Sequence, residues 1–119
     1  MTTVTIIEDE KGTLTSLKMA FQAEGYHVDA FDDPLVALPK IICVPPRLLI
    51  LNGRMPGMHG IDVFKTYRRY CKGPVIFLSA SSDEIEEQLQ ADGCPANAYV
   101  AKPHSIRQLL HLAREFVRP

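Results

Sequence analysis

The sequence of 119 residues has no apolar stretch long enough to cross a bilayer, and no segment with the charged and then apolar pattern of a signal peptide. It also has little excess charge, because 13 basic and 14 acidic side chains leave a formal net charge of −1. This balance gives no electrostatic basis for binding nucleic acid or an anionic membrane surface. We therefore expect no direct contact with nucleic acid and none with a membrane.

Cysteine is scarce, and the three residues present are Cys43, Cys71 and Cys94. Their number is odd, and their spacing matches neither a zinc site nor a disulfide framework. We expect three reduced and mostly buried thiols in a cytoplasmic protein. The sequence also lacks repeats, low-complexity tracts and an internal linker, so we expect one domain over residues 1–119.

Four short apolar runs are present, and each ends in polar residues that would be costly to bury. They are residues 4–7 before Glu8 and Asp9, 48–51 before Asn52, 75–78 before Ser79, and 98–101 before Lys102. Continuous apolar runs of this length are typical of strands that are buried on both faces of a parallel sheet. Segments with helical spacing separate the runs, and residues 26–31 alternate enough to form one further strand.

Five strands that alternate with five helices predict an α/β protein, a (βα)5 chain folded into a doubly wound parallel sheet. We expect the flavodoxin-like strand order 2-1-3-4-5, which places a crevice between the first and third strands. Ligands of open parallel sheets bind beyond the carboxyl ends of the strands. The polar residues predicted to meet in this crevice are Glu8, Asp9, Asn52, Ser79 and Lys102.

The second predicted helix contains a proline. Asp33 is its expected N-cap and Pro34 its first helical residue, but Pro39 falls inside it. A proline within a helix removes a backbone donor and clashes with the preceding turn. We therefore expect this helix to be short, kinked or broken early.

The polar strand ends carry a resemblance to a known family, the receiver domains of bacterial two-component response regulators. Residues 6–10 (IIEDE) resemble the acidic pair after the family's first strand, and residues 49–60 (LILNGRMPGMHG) resemble the stretch around its phosphorylated aspartate. Residues 77–80 (FLSA) resemble its Ser/Thr motif, and residues 99–103 (YVAKP) its aromatic and Lys-Pro motif. The four motifs occur in the family's order and at compatible spacing, and the resemblance covers the whole chain.

The resemblance implies a magnesium site. Glu8, Asp9, the side chain at Asn52 and the backbone carbonyl of Arg54 would hold Mg²⁺. Asp9 would be a direct ligand, whereas Glu8 would act partly through water. Magnesium prefers such oxygen ligands and usually keeps several waters.

The resemblance also implies phosphate-binding and switching roles. Lys102 and Ser79 would contact phosphoryl oxygens, and Ser79 would draw its loop inward. Tyr99 would change between exposed and buried rotamers. Pro103 would follow a cis peptide bond that positions Lys102.

Asn52 departs from the family at the acceptor position, where the family has an aspartate. An amide oxygen is a poor nucleophile without charge, so we expect no phosphorylation and weakened magnesium binding. Three explanations are open: a natural pseudo-receiver, an engineered Asp-to-Asn substitution, and deamidation of the Asn52-Gly53 dipeptide. The other motifs are in order, which favours a recent loss or a deliberate substitution over long decay.

Each of these residues also has a simpler interpretation. On this interpretation, Glu8 and Asp9 are an acidic pair at a helix N-terminus, where the helix dipole favours them. Lys102 is explained as a solvated lysine at a strand end. Ser79 is explained as the cap of the acidic helix that follows it, and Tyr99 as a core residue.

The resemblance implies a regulatory switch in phosphorelay signal transduction, not an enzyme. The implied partners are a sensor histidine kinase or phosphotransfer protein and an output domain or partner protein. The chain stops after its fifth helix, so we expect the output module to be missing or to be a separate protein. A homodimer through the face of helix 4, strand 5 and helix 5 is a further expectation.

The alternative is a small flavodoxin-like cofactor-binding protein or enzyme. The acidic residues 8–10 would repel a flavin phosphate, and the sequence has no glycine-rich phosphate loop. It also has no nucleophile elbow of the kind that serine hydrolases use. We therefore favour the signalling interpretation.

Overall fold

A computed structural model describes residues 2–55, 58–102 and 105–119, in which five strands and five helices alternate. The strands are β1 (Thr3–Ile7), β2 (His27–Phe31), β3 (Leu48–Asn52), β4 (Val75–Ser79) and β5 (Ala98–Ala101). The helices are α1 (Lys11–Ala23), α2 (Pro34–Cys43), α3 (Gly60–Tyr70), α4 (Ser82–Ala91) and α5 (Ile106–Phe116). None of these helices has both the length and the apolar character needed to span a bilayer.

The strands form one parallel sheet in the order β2-β1-β3-β4-β5, which confirms the predicted strand order. The register aligns the carboxyl ends of the central strands. Ile7 lies beside Leu51, Asn52 beside Leu78, and Ser79 beside Ala101. Polar residues at these positions therefore lie along one edge of the sheet.

Helices cover both faces of the sheet, as predicted for a doubly wound fold. Alternate strand residues face opposite sides. On one side, Ile6 and Ile50 pack in a cluster with Phe21 of α1 and Leu109 of α5. A second cluster contains side chains from β1, β3, β4, α2, α3 and α4, including Ile7, Ala37, Leu51, Phe64, Phe77 and Leu89. Burial from both sides explains why β1, β3 and β4 are continuous apolar runs. The expectation was wrong for residues 98–101, because β5 lies at the edge of the sheet and is only half-buried.

Helix α2 is not broken at Pro39. It starts at the predicted N-cap Asp33, whose carboxylate accepts the Leu35 N–H at 2.9 Å, and it continues to Cys43. The carbonyl that loses its donor to the proline belongs to Leu35, an exposed residue, where solvent can satisfy it. Ala37 and Ile41 anchor the helix in the core. The expected early break was therefore wrong, although the helix is short.

The prediction of mostly buried cysteines was also wrong. Cys71 is buried beside α3, but Cys94 is half-buried and Cys43 is exposed. Cys43 is the last residue of α2, where the chain turns away from the core. All three are free thiols, as expected.

Candidate functional site

The carboxyl edge of the sheet brings the predicted polar residues together. Asn52 and Ser79 are the last residues of β3 and β4, whereas Glu8 and Lys102 follow directly after β1 and β5. Backbone hydrogen bonds continue the sheet at this edge, because the Lys102 N–H donates to the Ser79 carbonyl at 3.0 Å. Hydrogen bonds join the side chains of Glu8 and Asn52 to Lys102, and Asn52 to Asp9, at the ends of β1 and β3.

Glu8 is a buried carboxylate that is paired with Lys102. Its exposed fraction is 2%, and the Lys102 Nζ donates to its Oε1 at 2.6 Å. Its other oxygen, Oε2, is buried without a hydrogen-bond partner among the described residues. Burial raises the pKa of Glu8, the Lys102 ammonium lowers it, and the neighbouring Asp9 raises it, with a net upward shift.

The Asn52 amide contacts both sides of the crevice. Its Nδ2 donates to Asp9 Oδ1 at 2.7 Å and to the Arg54 carbonyl at 3.0 Å. Its Oδ1 accepts from Lys102 Nζ at 3.4 Å. The exposed fraction of Asn52 is only 7%, so its polar atoms are satisfied by protein groups.

Arg54 connects this crevice to the start of α4. Its backbone carbonyl faces Asn52, while its Nε donates to Ser81 Oγ at 3.0 Å. Its guanidinium also pairs with Glu84 at 3.3 Å on the exposed surface. Both partners belong to the first turn of the helix or its cap.

Ser79 is buried, with an exposed fraction of 2%, and its Oγ accepts the Ser81 N–H at 3.1 Å. The residue at the N-cap position of α4 is Ser81, so the interpretation of Ser79 as the helix cap was wrong. The reason is the chain path, because β4 includes Ser79 and the helix begins only at Ser82. The Ser79 hydroxyl therefore lies at the strand end, beside the crevice.

Tyr99 is half-buried in β5, where its ring stacks on Phe77 with centroids 6.1 Å apart. Its hydroxyl accepts the Ala96 N–H at 2.7 Å, in the turn before β5. Burial raises the pKa of the Tyr99 hydroxyl. Pro103 and the expected cis peptide bond before it lie outside the described residues.

The oxygen atoms of the crevice are of the type that Mg²⁺ prefers, but three of them already accept hydrogen bonds from protein donors. Asp9 Oδ1 and the Arg54 carbonyl both accept from Asn52, and Glu8 Oε1 accepts from Lys102. No group of three or more His, Cys, Asp or Glu side chains in the described ranges is arranged to hold a metal. The arrangement as it stands does not fit a divalent cation.

Sequence reasoning missed two contacts at this edge. Arg54 was considered only for its carbonyl, but its side chain reaches Ser81 and Glu84. The opposite charges of Arg54 and Glu84, and their positions after neighbouring strands, were the available signal in the sequence.

The second missed contact is at the start of α1. Glu10 caps this helix by accepting the N–H groups of Gly12 and Thr13, so a carboxylate occupies the helix end that would otherwise bind a phosphate. The flavodoxin-like alternative is therefore not favoured.

The strand order, the two helical layers and the polar carboxyl edge define a CheY-like α/β domain. The family described as Response regulator receiver domain matches residues 4–114. The chain therefore belongs to the response regulator receiver domain family.

Curated relatives support this membership. The chain is 36% identical to the transcriptional regulatory protein KdpE of Mycobacterium tuberculosis and 32% identical to its sensory transduction protein RegX3, each over 118 residues. It is 30% identical to the response regulator ArlR of Staphylococcus epidermidis. These alignments cover 99% of this chain and 52–53% of each relative. The chain thus spans about half the length of the curated relatives it matches.

Solved structures agree with the fold. A receiver domain protein from Methanospirillum hungatei aligns with a TM-score of 0.86 at 26% identity, covering 97% of this chain and 92% of that one. The response regulator TrrA of Thermotoga maritima, solved in complex with Mg(2+)-BeF, aligns with a TM-score of 0.85 at 26% identity. That alignment covers 98% of this chain and all of TrrA.

Proposed function

We propose that this chain is the receiver module of a phosphorelay system in which Asn52 occupies the phosphoacceptor position, so that no aspartyl phosphate forms. One observation carries the proposal: the Asn52 side chain ends β3 within 2.7 Å of Asp9 and 3.4 Å of Lys102. An aspartate at this place would lie between an acidic residue and a lysine, the setting that phosphoryl transfer requires. The proposal holds for a natural pseudo-receiver and for an engineered substitution.

The loss of acceptor chemistry follows from the nature of the amide. Phosphoryl transfer needs an oxygen nucleophile in line with the leaving group. The Asn52 oxygen has no charge, and one of its two lone pairs already accepts from Lys102. The other half of the amide is an NH₂ group, which is a donor only. Neither end of this side chain is suited to attack phosphorus.

The remaining residues retain the roles that the resemblance implies. Lys102, held beside Asn52 by Glu8, would contact a phosphoryl oxygen, and the buried Ser79 hydroxyl would contact another. Tyr99 would take part in switching only after its hydrogen bond to Ala96 breaks. Pro103 would position Lys102. We assign these as binding and switching residues of a module that lacks its acceptor.

Magnesium binding belongs to the same proposal. In a variant with an aspartate at position 52, Mg²⁺ would supply positive charge beside a transferred phosphoryl group, with Glu8, Asp9, position 52 and the Arg54 carbonyl as its ligands. Asn52 replaces one anionic ligand with a neutral one. We therefore expect weaker magnesium binding than in the corresponding aspartate variant.

The partners follow from family membership. Receiver domains of response regulators interact with histidine kinases and output domains. We propose a sensor kinase or a phosphotransfer protein as the upstream partner, an output domain or protein as the downstream partner, and a cytoplasmic location. A homodimer through α4, β5 and α5 is part of the proposal. We assign the chain a regulatory function, not an enzymatic one, in one domain over residues 1–119.

The proposal is tested by incubating the protein with acetyl phosphate and magnesium and measuring the intact mass. We expect no phosphoryl adduct on the protein with Asn52, called wild type below as the reference for its variants, because no carboxylate stands at position 52. The Asn52→Asp variant should gain the mass of one phosphoryl group, because the other site residues are in place. Peptide mapping should locate the adduct at position 52.

The matched control is Asn97→Asp, the same substitution at the other end of β5. The Asn97 Oδ1 only accepts hydrogen bonds, from the Val75 N–H at 2.9 Å and from Arg68 at 3.2 Å, so a carboxylate can replace it. This variant should remain unlabelled. An adduct on wild-type Asn52, or an Asn52→Asp variant that stays unlabelled although folded, would refute the proposed function.

A further inference from the structure

The amide nitrogen of Asn52 lies between two oxygen atoms that come from different parts of the chain. Asp9 Oδ1, after β1, is 2.7 Å from it, and the Arg54 carbonyl, after β3, is 3.0 Å from it. These are two of the oxygens that the receiver resemblance assigns to magnesium. A single NH₂ group therefore satisfies a carboxylate and a carbonyl that a cation would otherwise bridge.

We infer that the Asn52 NH₂ group substitutes for the divalent cation and makes the site independent of metal ions. This inference rests on the proposed function, because it explains how the same site is stabilised without an acceptor or an ion. Its two N–H bonds supply the partial positive charge that the two oxygens need. Asp9 Oδ1 and the Arg54 carbonyl are thereby satisfied by a group that cannot dissociate.

The contacts on its other side fix the orientation of the amide. Asn52 Oδ1 accepts from the Lys102 ammonium, which has no acceptor capacity of its own. A reversed amide would place its oxygen against Asp9 Oδ1 and its NH₂ against the ammonium. Both contacts would be repulsive. Only one orientation satisfies all partners.

The same orientation opposes magnesium. To coordinate an ion beside Asp9, the Asn52 side chain would have to turn its oxygen toward the ion. The NH₂ group would then face Lys102, and both of its hydrogen bonds would be lost. Magnesium therefore competes with an existing set of contacts, in addition to lacking the charge of an aspartate.

The Asn52 contact also reaches α4. The Asn52 NH₂ group donates to the Arg54 carbonyl, and the Arg54 side chain donates to Ser81 and Glu84 at the start of that helix. The NH₂ group thus fixes the loop after β3 in the position from which the Arg54 side chain contacts α4. This arrangement needs no ion and no phosphoryl group.

The experiment measures Tm of purified protein in EDTA and in millimolar magnesium. The wild-type Tm should be the same in both. The Asn52→Asp variant should melt roughly 5 °C lower in EDTA, because it loses two donated hydrogen bonds and places a second carboxylate beside Asp9. Magnesium should raise the Tm of this variant, because an ion that binds only the folded state stabilises it.

The Asn52→Leu variant separates the lost donors from the added charge. In EDTA its Tm should also be lower than that of wild type, because Asp9 and the Arg54 carbonyl lose their donor. Magnesium should not raise the Tm of this variant. The Asn97→Asp variant, which carries the same charge change away from the crevice, should show no magnesium dependence. Circular dichroism checks that each variant is folded.

Two results would overturn the inference: a wild-type Tm that magnesium raises as much as it raises that of Asn52→Asp, or an Asn52→Leu variant as stable as wild type in EDTA. The phosphoryl labelling of Asn52→Asp is a separate measurement. If that variant is labelled while wild type is stabilised by magnesium, the inference fails and the proposed function stands. If Asn52→Asp is folded but not labelled, the proposed function fails whatever the Tm values are.

A hydrogen-exchange measurement tests the connection to α4 in the same proteins. Asn52→Leu should increase exchange of the first amides of α4. Arg54→Ala removes the side-chain contacts but keeps the carbonyl, so it should increase exchange there while the Tm in EDTA and magnesium stays equal. Unchanged α4 exchange in Asn52→Leu would show that the NH₂ group does not support this connection.

Discussion

Glu8 is a carboxylate that the sheet removes almost completely from solvent, and one lysine compensates its charge. Burial is the main cause of its raised pKa, and the Lys102 ammonium opposes the shift. Because the pKa is higher in the folded state than its ordinary value of 4.5, the folded protein binds this proton more tightly than the unfolded chain. Ionised Glu8 therefore disfavours the fold at neutral pH, and this cost is relieved as the pH falls through the folded pKa.

Replacing Lys102 should make the free-energy cost of burying ionised Glu8 measurable. We expect Lys102→Met to lower the free energy of unfolding by about 2–4 kcal/mol at neutral pH, because it leaves Glu8 buried without its partner. The difference from wild type should narrow as the pH falls through the raised pKa of Glu8, because the carboxyl then takes up a proton instead. Urea unfolding of both proteins at several pH values measures this difference in the free energy of unfolding.

The control for this prediction is Lys65→Met. Lys65 pairs with Asp92 at 2.7 Å, but both side chains are well exposed, at 41% and 38%. Solvent screens such pairs, so this variant should lose much less stability. Equal losses in the two variants, or a Lys102→Met loss that does not depend on pH, would contradict this account of Glu8.

The fold should protect Asn52 from deamidation. That reaction requires the backbone nitrogen of Gly53 to attack the Asn52 side-chain carbon, with release of ammonia and hydrolysis of the resulting succinimide. The Gly53 N–H instead donates to the Leu78 carbonyl at 3.0 Å, and Asn52 is buried in the sheet. We expect deamidation to be slow in the folded protein.

Ageing the protein at mildly alkaline pH, folded and in urea, tests this prediction. Peptide mass spectrometry should find the Asn52-Gly53 peptide unchanged in the folded sample and converted to aspartate and isoaspartate in urea. Equal conversion in both samples would contradict this prediction and support the explanation that Asn52 deamidates in the folded protein. It would also provide a route to an acceptor at this position.

At the scale of elements, the first turn of α3 approaches the end of β3 closely. A Cβ atom at Gly60 would lie 2.3 Å from the Asn52 carbonyl oxygen and 2.8 Å from the Gly53 Cα, both of them backbone atoms. Gly60→Ala should therefore push α3 away from the strand and cost at least about 2 kcal/mol of stability. Thermal or urea unfolding measures the loss.

Gly12→Ala is the matched control, since Gly12 lies in the first turn of α1. There, a Cβ would meet only the end of the flexible Glu10 side chain, at 3.1 Å. This variant should be as stable as wild type or more stable, because alanine favours helix over glycine. A Gly60→Ala variant that is as stable as Gly12→Ala would show that α3 can move at no cost.

The elements that sequence predicted best are those with one strong periodic signal. Each central strand appears as an unbroken apolar run in the sequence, and each is buried in the sheet as predicted. Helix α2 was harder to predict, because the penalty for Pro39 depends on whether the freed carbonyl of Leu35 faces solvent. That depends on tertiary packing, which no local pattern contains.

At the scale of the whole molecule, the strand order accounts for the candidate site. Parallel strands end at a common edge, so the order β2-β1-β3-β4-β5 was enough to place Asp9, Asn52 and Lys102 in one crevice. The direction of the Asn52 amide was not predictable, and for the contacts of Arg54 with α4 the sequence offered only the opposite charges and the positions of Arg54 and Glu84. They depend on side-chain orientations across residues that are far apart in sequence.

A crystal structure of Asn52→Asp grown with magnesium tests the central claim most directly. The account predicts an ion held by Asp9, the new carboxylate at position 52 and the Arg54 carbonyl, with Lys102 still beside Glu8. It also predicts that wild-type crystals grown in the same solution keep the amide there and bind no ion. An ion bound elsewhere in the variant, or an ion beside Asp9 in the wild type, would contradict it.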